Sequence, residues 1–281
     1  MAKPGEWQEW DDTQARAWIA VPTAGDDKYT RGVLGMRTGS EEYPGAAVLG
    51  VEAALRTGVG MVRYLGPRRP ADLVLQRRPE AVTMSGRVQA WLLGSGVSAS
   101  GWDPETASIF AAAAGDGLPT ILDAGALALA GLTSGRTVIT PHYRELAVLL
   151  SDHELPVAAA DIAVDPAGWA ARAADTLDVT VLLKGAVTHI ASPSGLRITV
   201  SDAPAWLATA GTGDVLGGIL GALVTTHAER AATDPGALAA LAATASLLHS
   251  RAAAVASAGG PLTALGVAEA VPAVLRALLH G

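Results

Sequence analysis

Short runs that are apolar nearly from end to end recur along this chain, with helical patterns between them. They are Val33-Leu34-Gly35-Met36, Met61 to Leu65, Ala90-Trp91-Leu92-Leu93, Thr120 to Asp123, Thr137-Val138-Ile139 and Val179 to Leu183. A strand with one wet face alternates polar and apolar residues, so runs without alternation need burial on both faces. Helical stretches over Ala46 to Arg56, Pro104 to Ala114, Ala126 to Ala130, Arg144 to Leu150 and within Val157 to Thr176 separate the runs. This alternation predicts an α/β fold with a mostly parallel sheet. Pro44 stands just ahead of the first long helix, where its fixed φ is tolerated. Near Val187 the rhythm breaks: Val187 to Ala191 and Leu196 to Val200 flank Ser192-Pro193-Ser194-Gly195 and read as an antiparallel hairpin at one edge. Three alanine-rich helices follow, at roughly Asp214–His227, Gly236–Ala258 and Gly266–Leu279. Residues 1–27 are polar, carry three tryptophans and read as an arm or first helix leaning on the body. With no linker or internal repeat in sight, 28–281 read as one domain, which 281 residues at 50% apolar content can fill with a substantial core.

Ligands of open parallel sheets collect at the carboxyl ends of the strands. Here those ends are Gly94-Ser95-Gly96, Asp123, Thr140-Pro141-His142-Tyr143-Arg144-Glu145, Lys184-Gly185-Ala186 and Gly211-Thr212-Gly213-Asp214. The last opens directly into an apolar helix. Gly211 and Gly213 can take φ > 0 and let a ligand approach the main chain, and the unpaired N–H groups and dipole of the helix start attract an anion. Asp214 would repel a phosphate held there, so it needs a second role. General base fits, taking the proton of a hydroxyl that attacks phosphorus; the plainer alternative is a carboxylate that only stabilises the helix dipole. Lys184 follows an apolar strand and precedes a glycine, which suits an ammonium aimed at phosphate or a lysine snorkelling at a strand edge. His142 and Glu145 are spaced to share one helix face. They could bind substrate and hold a metal-bound water, or form a capped first turn. Asp123 could equally cap the helix after it.

Composition removes several classes. A net charge of −7 argues against nucleic acid or an anionic membrane as partner, since both need a basic face. The chain has no cysteine, hence no disulfide or thiolate chemistry. Its first residues lack the apolar core of a signal peptide and its apolar stretches do not read as a membrane span, so cytoplasm is expected. Lysine occurs only as Lys3, Lys28 and Lys184. No Gly-x-x-x-x-Gly-Lys-Ser/Thr, His-Glu-x-x-His or Gly-x-Ser-x-Gly occurs. Gly94-Ser95-Gly96-Val97-Ser98-Ala99 loosely matches a dinucleotide fingerprint, but Gly101-Trp102-Asp103-Pro104 puts a loop where the helix should open. No acidic residue ends a strand at the required distance beyond it. The turn at Gly211 fails that fingerprint at Leu216.

From about Lys28 onward the chain resembles the ADP- or ATP-dependent NAD(P)H-hydrate dehydratases, a branch of the ribokinase-like kinases. The resemblance is carried by Lys28-Tyr29-Thr30-Arg31-Gly32, Gly39-Ser40 through Tyr43-Pro44-Gly45-Ala46-Ala47, Gly58-Val59-Gly60-Met61-Val62, Thr140-Pro141-His142-x-x-Glu145, Lys184-Gly185-Ala186-Val187-Thr188 and Gly211-Thr212-Gly213-Asp214-Val215-Leu216. It implies a ribokinase-like three-layer α/β/α sandwich with a mostly parallel central sheet and a small antiparallel edge hairpin. The implied reaction is dehydration of the S-form of C6-hydrated NADH or NADPH, by phosphorylating the hydrate hydroxyl so that phosphate leaves. ADP is the implied co-substrate, giving AMP and phosphate, with ATP possible and Mg²⁺ as cofactor. Carried over, Asp214 acts as base beside the hydrated nicotinamide, and Gly211 with Gly213 forms the anion hole. Lys184, Gly185, Ala186, Val187 and Thr188, with Gly213, hold the adenine nucleotide. Ala46, Gly96 and His142 line the hydrate site, and Glu145 sits in the water and metal shell of the phosphates.

The resemblance further implies a homotetramer and a functional link to a separate epimerase; the 27 residues before Lys28 are too few for that fused domain. Three departures stand out. Ser95 replaces the proline of Gly-Pro-Gly, Gly125 replaces a second aspartate after Asp123, and Tyr143-Arg144 replaces the x-Gly of Pro-His-x-Gly-Glu. Arg144 either meets the extra phosphate of NADPH or faces solvent. Two other classes remain: a small-molecule kinase of the same fold, of thiazole or hydroxymethylpyrimidine type, and a non-catalytic nucleotide-binding protein.

Overall fold

The structure, a computed structural model, describes residues 6–99 and 102–281; Lys3 and Gly101 lie outside them. Among the described residues the sheet has nine strands: β1 (Gln8–Glu9), β2 (Val33–Arg37), β3 (Met61–Tyr64), β4 (Ala90–Leu93), β5 (Thr120–Leu122), β6 (Thr137–Ile139), β7 (Thr180–Leu183), β8 (Thr188–Ala191) and β9 (Arg197–Val200). Their order is β1-β9-β8-β7-β6-β5-β4-β2-β3. β2 through β7 run parallel, while β8 is antiparallel to both β7 and β9. This is the three-layer, mostly parallel sandwich with a hairpin toward one edge.

The lack of polar alternation in the central strands now has its cause. In β4, Ala90 and Leu92 enter one core while Trp91 and Leu93 enter the other, and all four are buried. β6 and β7 divide the same way, Val138 and Leu182 against Ile139, Val181 and Leu183. One core packs α2 (Pro44–Thr57), α8 (Thr212–Thr226), α10 (Ala237–Ser257) and α11 (Ala264–His280) on the sheet; the other packs α4 (Pro104–Gly115), α5 (Tyr143–Asp152), α6 (Ala159–Val164) and α7 (Pro166–Leu177). The single helix expected within Val157 to Thr176 is two, broken at Pro166. The residue before it, Asp165, is pushed out of the helical region to φ −134° and ψ 67°, and its carboxylate caps α7 through the Gly168 N–H.

The amino-terminal arm is tied into the sheet. Gln8 and Glu9 pair with Ile198 and Thr199, so β1 covers the outer edge of the hairpin. Trp10 is buried and its Nε1 donates to Thr244 Oγ1 of α10 at 3.2 Å, while α1 (Asp12–Arg16) leads to buried Trp18, capped by the Arg230 guanidinium at 3.6 Å. Two helices bury little: α3 (Arg68–Arg77), which buries Pro70 and Val74, and α9 (Ala228–Thr233), which buries Ala231. By length and composition α10 could cross a bilayer; 83% of its apolar 18-residue window is buried in this molecule, so it is a core helix.

The crossing of α2 and α8 positions the site. A Cβ on Gly218 of α8 would run into the Gly50 carbonyl and come within 2.9 Å of Ala53 Cβ, and a Cβ on Gly50 would lie 3.5 Å from the Asp214 carbonyl. Small residues on both faces bring the two backbones together. The start of α8 therefore sits against the middle of α2, at Leu49 and Gly50.

Candidate active site

Gly211 caps α8 with φ +89°, in the left-handed region, and a Cβ there would lie 2.6 Å from Leu49 Cδ1 and 3.1 Å from Ala264 Cβ. Glycine is required twice over, by conformation and by space. Gly213 differs from expectation: it lies within the helix and has no positive φ. What its missing side chain leaves is room, since a Cβ would meet only Lys184 Nζ, at 3.8 Å. Helix N–H groups and an ammonium facing one another there make a place of charge that matches an anion.

Asp214 stands in the first turn of α8, partly buried, with no side-chain hydrogen bond or ion pair among the described residues. Burial, and after it the like charge of Asp123, push its pKa up to about 7, with Lys184 pulling the other way. A carboxylate that only stabilised a helix dipole would be held below its ordinary value. The observed environment is that of a proton acceptor near neutrality.

Asp123 does not cap the following turn, although it stands at the cap position of the 3₁₀ segment Ala124–Leu129. Its Oδ1 accepts from Thr140 Oγ1 at 2.7 Å and Lys184 Nζ at 3.1 Å, and its Oδ2 accepts from Ser95 Oγ at 2.9 Å. One buried carboxylate thereby ties the ends of β4, β5, β6 and β7 together. Burial opposes its charge, but Lys184 and the two hydroxyls outweigh burial and hold its pKa below the usual carboxylate range. Lys184 mirrors this: burial works against the ammonium, yet Asp123 and then Glu145, 3.8 Å away, keep its pKa above that of an ordinary lysine. The snorkelling alternative for Lys184 is not what the fold adopts.

His142 and Glu145 form the capped first turn. His142 Nδ1 accepts from the Glu145 N–H at 3.1 Å, and Glu145 Oε2 accepts from the His142 N–H at 2.8 Å. Because Nδ1 accepts, the neutral ring carries its proton on Nε2. The cap does not remove the pair from the site, because the side chain of His142 is 52% exposed and Glu145 faces Lys184. Tyr143 fills the space over Gly185, where a Cβ would strike its hydroxyl. Arg144 is exposed and makes no described contact. Gly185 and Ala186 are exposed and Val187 and Thr188 partly so, forming the loop from β7 into β8.

Ala46 and Gly96 meet. Gly96 has φ +68°, and a Cβ on it would collide with Ala46 Cβ and lie 3.3 Å from Gly39 Cα; the Gly39 N–H donates to the Ser95 carbonyl at 2.7 Å. Two departures from the family pattern also gain a physical account. Ser95 supplies a hydroxyl to Asp123, which proline could not, and Gly125 is pressed so closely that a Cβ would lie 2.5 Å from the carbonyls of both Val97 and Ser98. Lys28, by contrast, is exposed over the Tyr29 ring, at the amino end of β2, away from this cluster. A cavity of about 840 Å³ at that same end is lined by Asp27, Arg87, Gln89, Thr225 and His227, and shares no residue with the site.

The sequence reading missed the orienting groups, Ser95 and Thr140, and His249 of α10. His249 is buried near the Thr212 carbonyl, with its Nε2 unpartnered; burial first of all drives its pKa down to about 4, so it is neutral there. Nothing in the local sequence around these residues signals a partner so distant along the chain. No group of three or more His, Asp or Glu able to cage a metal occurs among the described residues. A Mg²⁺ carried by nucleotide phosphates needs no such cage, because it keeps most of its waters and takes one or two carboxylates. Glu145 fits that requirement, whereas Asp123 is closed off by three donors.

The sequence model of the family described as NAD(P)H-hydrate dehydratase matches residues 34–268. The bifunctional NAD(P)H-hydrate repair enzyme Nnr of Mycobacterium tuberculosis is 41% identical over 227 residues, which cover 76% of this chain and 45% of that protein. The chain thus spans about half the length of the bifunctional relatives it matches. The ADP-dependent (S)-NAD(P)H-hydrate dehydratase of Xanthomonas campestris is 31% identical over 71% of this chain and 74% of its own length. Among solved structures, the ADP/ATP-dependent NAD(P)H-hydrate dehydratase of Bacillus subtilis, co-crystallised with ATP and Mg²⁺, superimposes with TM-score 0.83 at 25% identity, covering 96% of this chain and 98% of that one.

Proposed function

The chain belongs to the NAD(P)H-hydrate dehydratase family, and from that membership we propose that it dehydrates the S-form of C6-hydrated NADH and NADPH in an ADP-dependent reaction releasing AMP and phosphate. The observation that carries the reading is the relation of Asp214 to Lys184. An unpartnered carboxylate with a pKa near 7 and an anchored ammonium stand at the amino end of one helix, with the space left by Gly213 between that end and the ammonium.

In this reading Asp214 takes the proton of the hydrate hydroxyl while its oxygen attacks the terminal phosphorus of ADP, and AMP departs with the electrons of the broken P–O bond. Charge on the transferring phosphoryl group falls between the N–H groups of Gly213 and its neighbours and the Lys184 ammonium, both fixed before reaction. Phosphate then leaves C6 with the C–O electrons, and loss of the C5 proton restores the ring double bond. Ala46 and Gly96 offer a floor with no side chain beyond a methyl, which admits the flat nicotinamide close to the main chain. His142 presents its Nε2–H at the rim, and the loop Lys184 to Thr188 holds the adenine nucleotide. Mg²⁺, when bound, neutralises phosphate charge; Glu145 and its water shell are the residues suited to hold it.

Carried by the resemblance, the proposal also includes a homotetramer, a cytoplasmic setting and a functional link to a separate NAD(P)H-hydrate epimerase. The decisive assay incubates the protein with Mg²⁺, hydrated NADPH and either ADP or ATP, and follows recovery of reduced nicotinamide absorbance. Recovery with ADP is expected. Absence of recovery with either nucleotide, together with phosphorylation of a thiazole or hydroxymethylpyrimidine alcohol, would replace this reading by the kinase one.

A further inference from the structure

We propose that Arg37 anchors a phosphoryl group of the hydrated dinucleotide, in the cavity that opens where β2, β3 and β4 end against α4. The identity of the ligand rests on the dehydration reading; the presence of an anion site there does not. The cavity measures about 490 Å³ and is lined by Arg37, Gly39, Ser40, Leu65, Val97 and Phe110 among others. It adjoins the floor of the hydrate site, because Gly39 packs on Gly96 and Val97 follows it in the chain. A dinucleotide with its nicotinamide over Ala46 and Gly96 has this cavity next to it for its phosphates and second nucleoside.

Arg37 is held but not neutralised. Its Nη1 donates to the Leu65 carbonyl at 2.8 Å and its guanidinium lies 6.0 Å from the Trp91 ring, while Nε is buried without a partner. It makes no ion pair among the described residues, in contrast to Arg56 and Arg78, which bond the buried Glu52 carboxylate, and Arg197, which bonds Asp175. Burial alone lowers its pKa, so the charge is partly stripped of water with no anion to compensate it. The acidic residues on the same wall do not serve. Asp103 Oδ1 accepts from the Thr106 N–H at the head of α4, and Glu105 is exposed and unpaired with Arg37. A planar guanidinium tied down through Nη1 on one side, with no other hydrogen bond and its side chain lining a cavity, suits the binding of a phosphate. The apolar remainder, Leu65, Pro67, Val97, Ile109 and Phe110, suits a ribose or base beside it.

Calorimetric titration of NADPH, NADH and reduced nicotinamide riboside, which has no phosphate, into the wild-type chain, Arg37→Gln and Arg37→Lys tests this without requiring turnover. Arg37→Gln should weaken NADPH about tenfold or more, with the riboside unchanged, as expected for loss of a charged hydrogen-bonding partner. Equal losses for NADPH and NADH assign the bridging diphosphate; a loss confined to NADPH assigns the ribose 2′-phosphate. Should Arg37→Gln melt well below the wild type, Arg37→Lys carries the test. It keeps the charge but loses the fork, and should weaken only the phosphorylated ligands, by several-fold. Unchanged binding of all three ligands, equal weakening of the riboside, or no binding of NADPH to the wild type overturns the proposal. Dependence on Arg37 together with a failed absorbance recovery would instead overturn only the dehydratase reading.

Discussion

Lys184 Nζ lies 3.1 Å from Asp123 Oδ1, a contact across 61 positions of sequence that fixes the site's ammonium with a carboxylate buried out of reach of any ligand. Asp123 thereby sets the position of Lys184 and, through its charge, the proton affinity of Asp214.

Replacing Asp123 by Asn should therefore act on two readouts. The nucleotide KM should rise about tenfold as Lys184 loses its anchor. The acidic limb of the pH–rate profile should move to lower pH, because removing a like charge lets Asp214 ionise more easily. A profile that stays in place would show that Asp123 does not act on Asp214.

With the Asp214 pKa at about 7, kcat should rise with pH and level off above neutrality, and Asp214→Asn should lose at least about a hundredfold while binding ADP normally. The folded pKa is raised above the ordinary aspartate value of 3.8, so the folded state holds the proton more tightly than the unfolded state. The stability this gives is complete below the unfolded value and is lost as pH rises through about 7. Asp214→Asn should accordingly be more stable than wild type at pH 8, by about 1–3 kcal/mol, with a narrower gap at pH 5 that closes only below the ordinary value of 3.8. Thermal melts at the two pH values check the sign.

Gly211→Ala and Gly213→Ala should separate fold from function. The first puts a methyl at φ +89° and 2.6 Å from Leu49 Cδ1, and should cost about 1–3 kcal/mol in stability. The second sits in regular helix with only Lys184 Nζ at 3.8 Å, so the fold should hold while the methyl fills the phosphate's place. Loss of ADP affinity without loss of Tm is the expected signature.

Away from the site, fully buried Glu52 joins α2 to α3 by accepting from Arg56, Arg77 and Arg78. Burial opposes its charge, but Arg78 and then the other two arginines bring its pKa down to about 2. Glu52→Gln leaves three cations without their carboxylate. The arginines are partly exposed and screened, so the cost should be about 2–3 kcal/mol, at the lower end for a broken buried pair. The folded pKa is depressed, so this stability is present above the ordinary value of 4.5 and fades as pH falls toward about 2. The gap in Tm between variant and wild type should close over that interval, with ADP binding unchanged at neutral pH.

Local rules carried a large share of this molecule. Unbroken apolar runs mark strands buried on two faces because each successive side chain must enter a core, as Trp91 and Leu92 do on opposite sides. The glycine turn at Gly211 and the capped turn at His142 are legible for the same reason: a helix start is decided by the few residues that form it. Asp214 was visible as an anomaly, a carboxylate where an anion should bind. Partnership at a distance was not visible. Nothing near Asp123 distinguishes a cap from an anchor until β4, β5, β6 and β7 align and bring Ser95, Thr140 and Lys184 around it. β1 is a strand only because β9 offers an open edge to its two residues. Sequence thus determined the strands buried on both faces and the helix starts at Gly211 and His142. The tertiary structure alone decided which charges face one another, because an electrostatic environment is set by distances through space between residues far apart along the chain.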